Sequence, residues 1–347
     1  FAIAIGGLGA GAGADAYAEV TSSADVEALV GSSSQLTVPG APVNVLATGD
    51  NNATATANGG AIGGLSIAAM LPTAKVGGGV KAEFDGQMTG GSALLLNVKG
   101  LGENTADATV RVASIGMLGG GAGARSTAQV TSAADVEARV GVNADISTSG
   151  AVLVDARLQG LENKAFAQAL GLAGGTFLGV SVMLAEAEVG GAVIADFDGD
   201  VSTASQVTVQ ANGANLALAH TVAASLGGVL GGSLTGAAAN VTDQADVEAT
   251  VGSTSSITTG GAVLVKATGE NDAVTDSDAG SAGGIVGIAG SSLQAIVAGG
   301  VKAELDGDVQ DASSVKVEAI GDNDAQATAF AIAIGGLGAG AGADAYA

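Results

Sequence analysis

The chain has 347 residues, 59 of them Gly, with no Cys, no Trp, one His and three Pro, and its 34 acidic against 11 basic residues give a formal net charge of −23. Gly stands at more than twice its usual share and charged residues at about half of theirs, yet mean hydropathy is positive. That combination excludes intrinsic disorder, and the lack of a Gly at every third residue excludes collagen. Few cations scattered among many acids cannot neutralise a phosphate backbone, so no nucleic-acid partner is expected. Thiolate metal centres and disulfides need cysteine, and a histidine triad would have His220 alone, so no enzyme and no catalytic residue is expected.

Reading from the start, FAIAIGGLGAGAGADAYA opens the chain at residues 1–18 and returns unchanged at residues 330–347, a period of 329. Within that period the string ADVEA begins at Ala24, Ala134 and Ala245. These recurrences divide the chain into repeat blocks at residues 1–110, 111–221 and 222–329, with residues 330–347 starting the next period. Each block divides again, because VEALVG at residues 26–31 aligns with VKAEFDG at residues 80–86, and the relation recurs at Val136/Val193 and Val247/Val301. Six units of about 55 residues make one period. Internal repeats of this kind mark stacked architectures, in which each unit completes its core against its neighbours.

Every unit follows one order. A short alternating segment such as VEATV leads through a Gly/Ser turn to a second alternating segment, seen as ITTGGAVLVKA, ISTSGAVLVDA and SVKVEA. A turn containing Asn is expected next, followed by a long alternation of small residues broken by Gly pairs. Period-two alternation with Val, Ile and Thr, bounded by Gly, Asn, Asp and Ser, is the pattern of strands, and no stretch holds a helical period. The expected fold class is all-β, a repetitive β-solenoid of ~55-residue coils rich in Ala, Gly and Val. Residues 217–242 and 281–301 are uncharged and long enough for a membrane span, but their alternation and Gly content argue against a transmembrane helix.

Two sets of polar residues recur. Asn51, Asn104, Asn163, Asn215, Asn271 and Asn323 occupy one place in successive units. Asn suits turns, and stacked copies form amide ladders, so a structural turn ladder is expected. The carboxylates Glu270 and Asp272, then Asp322 and Asp324, flank two of these asparagines. Stacked carboxylates repel unless a hard cation bridges them, which makes them candidate weak cation sites. The same reasoning applies to Glu83/Asp85, to Asp196, Asp198 and Asp200, and to Glu304, Asp306 and Asp308. DFDGD at residues 196–200 resembles a calcium loop, but Val207 stands where its last Glu belongs. Calcium is therefore carried only as an alternative to solvated turns, with no other cofactor.

ITTGGAVLVKA, ISTSGAVLVDA and the runs of alternating Ala and Gly resemble the repetitive stalks of giant bacterial surface proteins, the filamentous haemagglutinin-like adhesins. The resemblance spans the whole chain through short motifs. It implies a secreted β-solenoid, extracellular or at the cell surface, serving as a fibre or as the stalk of an adhesin whose binding tip lies elsewhere and contacts a host cell. The unchanged 18-residue repeat is more regular than such stalks and favours a structural filament whose partner is itself, stacked head to tail. If each unit is one coil, six coils advance roughly 29 Å at ~4.8 Å per layer. A coil contour near ~180 Å, at ~3.3 Å per residue, must then fold back on itself, and the Gly-rich runs are where layers are expected to press together.

Overall fold

The computed structural model describes residues 1–90, 95–160 and 162–347. Among them every regular element is a strand, and every strand pairing is parallel. Parallel pairing demands a long return path between partners, and here that path is one sequence unit. Asn163 pairs with Asn215 and Thr105 with Lys164, each partner lying one unit further along the chain. The all-β, parallel arrangement is compatible with a β-solenoid.

One circuit of the chain illustrates the path. The short strand Val247–Val251 lies in a six-stranded sheet, and Ser256–Thr259 lies in a second six-stranded sheet. The long limb Ala262–Gly283 and the return limb Val286–Val297 both belong to a twelve-stranded sheet. The next circuit repeats the four steps as Val301–Leu305, Asp308–Gln310, Ser314–Gly335 and Gly338–Tyr346. In the earlier circuits Val43–Val76 and Leu96–Val130 run through both limbs without a break.

Side-chain size divides each circuit into two parts. Where the short strands face the first residues of the long limb, Val80, Phe84, Met88, Leu96, Phe197 and Ile257 fill a core of conventional volume. Beyond it the long limb turns its buried face onto the return limb, and that core is mostly alanine with interspersed buried Ser and Thr, as in Ala165, Ala167 and Ala169 against Ala185 and Ala187. Short methyl side chains let the two limbs lie close, so this part is a thin blade. The contour does fold back on itself, but alanine lines the pressed layers. The Gly pairs lie instead at the blade's edge, where the chain reverses, as at Gly227/Gly228 and Gly283/Gly284.

Glycine recurs at a second place, two residues before five of the six recurrent asparagines. A Cβ on Gly213 would stand 2.7 Å from Val193 Cγ2, and one on Gly49 would stand 2.6 Å from Val80 Cγ2. The leading valine of each short strand occupies the space a side chain would need, so the G-x-N motif records a close approach. Gly213→Val should destabilise the chain by about 1–3 kcal/mol through overpacking, read as a lower unfolding midpoint in denaturant with parallel-sheet circular dichroism retained.

Candidate functional site

The recurrent asparagines sit in a different place from the expected turn. Asn51 lies within the continuous strand Val43–Val76 and Asn271 within Ala262–Gly283. Their side chains point inward at the boundary between the valine core and the alanine blade. Each amide donates to the carbonyl oxygen of the next. Nδ2 of Asn51 meets Oδ1 of Asn104 at 3.0 Å, and Asn104 meets Asn163 and Asn163 meets Asn215 at 3.0 Å. Asn215 then meets Asn271, and Asn271 meets Asn323, at 2.8 Å.

The second Nδ2 hydrogen goes to a backbone carbonyl in the bend by which the return limb leaves the blade. The acceptors are Gly78, Ala134, Gly191, Ala245 and Gly299, at 2.8–3.1 Å. Buried polar groups must be paired. Each interior rung satisfies its own amide and a bend carbonyl that no strand partner reaches. Asn104, Asn163 and Asn271 are fully buried. Turn chemistry in the local sequence is overridden by this long-range pairing.

The same bends alternate between two shapes. The wide form, Thr131 to Asp135, is closed by Ala134 N–H donating to Thr131 O at 3.0 Å, and its equivalents start at Thr21 and Thr242. The intervening circuits turn tightly, as at Gly190 to Ala192. The wide bend's aspartate accepts from the backbone of the following tight one: Asp25 from Gly79 N at 2.8 Å, Asp135 from Ala192 N at 2.7 Å, Asp246 from Gly300 N at 2.6 Å. Sequence reasoning misses these aspartates, although the D of every ADVEA string marks them. Burial pushes Asp135 up to about 6, against the opposing pull of its Ala192 hydrogen bond.

The carboxylates singled out from sequence fall into two environments. Asp196 lies in the short strand Val193–Phe197, between Arg139 and Thr250 on its neighbours, and accepts from both, at 2.8 Å and 2.6 Å. Asp198 follows in the tight turn, and burial, then the charge of Asp196, raises its pKa. Asp200 accepts from Ser256 N at 3.1 Å. Asp85 accepts from both the backbone and the side chain of Asn143 at 2.9 Å. Glu304 pairs with Lys302, while Asp306 and Asp308 hold their turn through backbone bonds to Val251 and Ser255.

Glu270, Asp272, Asp322 and Asp324 form a two-by-two block on the outer face of the long limb, with Glu270 beside Asp322 and Asp272 beside Asp324. No ion pair reaches this block among the described residues. Burial and then the charges of Glu270, Asp324, Asp322 and Glu162 raise the pKa of Asp272. Among the described residues no three or more His, Asp or Glu side chains converge on a metal position.

His220 lies on the same outer face, with Nδ1 3.1 Å from Gln168 Nε2 and Nε2 3.8 Å from Asp276 Oδ2. It borders a hollow of about 930 Å³ whose other walls include Phe1, Ile62, Ile115 and Leu170. The Ser/Thr turn at residues 252–256 is tied to the preceding circuit, Ser255 Oγ donating to Phe197 O at 2.9 Å. No described helix is long and apolar enough to cross a membrane. No protein-family model, no curated protein and no solved structure matches the chain.

Two outcomes follow from these columns. Asn163→Ala removes three buried hydrogen bonds and orphans the Gly191 carbonyl, so unfolding should become easier by about 3 kcal/mol or more. Asn323→Ala, which removes a rung that only accepts, should cost less in the same denaturant series. The second concerns pH. Asp135, Asp198, Glu248 and Asp272 all have raised folded pKa values. The native chain therefore keeps protons that the unfolded chain has released, and stability falls as pH climbs from about 4 to about 6. Thermal midpoints across that range should decline, and Asp135→Asn, which keeps the acceptor and removes the charge, should flatten the decline and raise the midpoint at pH 7.

Proposed function

We propose that this chain is a β-solenoid segment of an extracellular filament or surface fibre, built from ~55-residue coils that stack head to tail without closing. One observation carries the reading. The 18-residue sequence shared by residues 1–18 and residues 330–347 engages its neighbours through opposite edges in its two copies. Near the start, Ala2 pairs with Gly59 and Tyr17 with Thr73, in the circuit that follows. At the other copy, Ala331 pairs with Ala279 and Tyr346 with Gln294, in the circuit that precedes.

The interruption also matches. Pairing shifts between Gly6 and Gly9 in the first copy, and the limbs divide between Gly335 and Gly338 in the second, positions one period apart. A single strand of this sequence can therefore carry both sets of bonds at once, which is what an array of identical periods requires. Contacts of this head-to-tail type propagate an open fibre.

The acidic block at Glu270, Asp272, Asp322 and Asp324 binds cations, calcium included, as screening counterions rather than as a fixed centre. No catalysis is assigned to the segment. The alternative role, the stalk of a giant adhesin, places the same coils below a distinct tip.

Fibre diffraction and electron microscopy of the native assembly test the reading. A layer line near ~4.8 Å and an axial repeat near ~29 Å are expected, unchanged between millimolar calcium and chelator. Long single chains ending in distinct domains would favour the stalk. A doubled axial repeat, with two strand layers for each unit, or a barrel or helical signature, would overturn the coil assignment.

A further inference from the structure

The outer face of the return limb presents an exposed apolar surface that the chain itself does not cover. Leu65, Ile67, Leu178, Leu234 and Ile288 are each between 41% and 67% exposed there. The surface is also free of charge. No Asp, Glu, Lys or Arg occurs in residues 51–74, 112–124, 165–185, 211–242, 279–301 or 325–343, which form the outer part of every blade. The net charge of −23 is thus gathered at the short sheets and the base of the limbs. Two copies repel one another through those charged parts, and the outer blade faces are free of that repulsion.

The middle column of the face is regular, while its flanking columns, such as Leu65, Gly119, Leu178, Leu230, Val286, are not. One outward column runs Ile67, Gly121, Val180, Gly232, Ile288 through successive circuits. Branched side chains therefore stand two circuits apart, about 9.6 Å, with bare backbone between them. Gly11 beside Ile67 and Gly340 beside Ile288 continue the alternation at both ends. These glycines answer no need within the chain. Gly40 alone has a positive φ among the described glycines, and a Cβ on Gly121 or Gly232 would find its nearest neighbour at 3.9 Å. Glycine inside a strand lowers stability, and where no bulge or crowding calls for it, it marks the close approach of another backbone. The opposite outer face lacks strict alternation: its corresponding column runs Ile62, Ile115, Gly174, Leu226, Ala282, and Arg111, His220 and Asp278 stand nearby.

We infer that the return-limb face is a lateral docking surface for a second copy of this chain, advanced by one circuit so that Ile67, Val180 and Ile288 enter the gaps over the partner's glycines. A neighbour rotated about an axis parallel to the stack keeps the two acidic flanks on opposite sides. The area suffices. Three outward columns spaced ~6.7 Å across six circuits of ~4.8 Å give about 580 Å² per copy and period, hence about 1,200 Å² for a pair, at the threshold of a specific interface. Each further period adds the same amount. Exposed apolar surface of this extent is characteristic of interaction sites.

This inference rests on the solenoid reading, and the two fail differently: loss of stacking shortens the particles, loss of lateral docking leaves long fibres of single width. The test compares the native assembly with Gly121→Val/Gly232→Val, whose Cβ atoms fill the gaps at ordinary contact distance from their neighbours, and with Gly280→Val on the opposite face, where a Cβ is equally unobstructed. Fibre width by electron microscopy and sedimentation of the chain are read together, with thermal unfolding confirming that each variant folds. Paired fibres are expected for the native chain and for Gly280→Val, and single fibres for the gap-filled variant, with at least a tenfold weaker self-association. Single fibres in the native assembly, or undiminished pairing after gap filling, would overturn the proposal. So would native fibres that stay single while binding phosphatidylcholine vesicles through the same face, since that outcome assigns it to lipid.

Discussion

Parallel, in-register stacking is the constraint from which the other features follow. It sets every side chain one strand spacing from its counterpart in the next circuit, so each position becomes a column of near-identical neighbours. Columns of valine or alanine gain from that arrangement through packing and burial. Columns of asparagine gain more, because an amide is both donor and acceptor and can bond to a copy of itself. Columns of carboxylate lose, because like charges ~4.8 Å apart repel.

In the short-strand columns the chain answers the last case by breaking identity where charge recurs, whereas Glu270/Asp322 and Asp272/Asp324 on the long limb stay adjacent. In one column Lys81 stands between Glu27 and Glu137, and in the next Arg139 stands between Glu83 and Asp196, with Thr250 separating Asp196 from Glu304. The few cations of an acidic chain are placed inside the stacks rather than on a basic surface. Apolar and amide columns tolerate repetition, and there the circuits resemble one another closely. The stability of such an array is carried largely by the interfaces between adjacent circuits.

Much of this is legible in the sequence. The spacing of ADVEA marks the unit, and alternation with β-branched residues marks the strands. Local chemistry misleads at two places. The G-x-N motif has the composition of a turn, yet Gly213 and Asn215 lie within the strand Gln206–Gly227, because a valine from another strand needs the missing side chain and a bend carbonyl needs the amide. The Gly pairs suggest pressed layers, whereas alanine already brings the limbs together and the pairs serve the reversal. The aspartates of the wide bends escape a sequence reading because their partners are backbone N–H groups in the next circuit, which no local pattern reveals.

The alternation of wide and tight bends has a consequence for how such a chain can change in length. A tight bend nests on a wide one: Gly191, in a tight bend, would bring a Cβ within 2.6 Å of Ala134 O, and Gly78 would bring one within 2.6 Å of Ala24 O. Removing a single circuit would set two wide bends against each other, leaving Asp135 or Asp246 facing another aspartate instead of an N–H donor. Removing two restores the match. Gain or loss by recombination is therefore quantised in pairs of circuits, and a gene that lengthens or shortens by such pairs keeps its product's layers in phase.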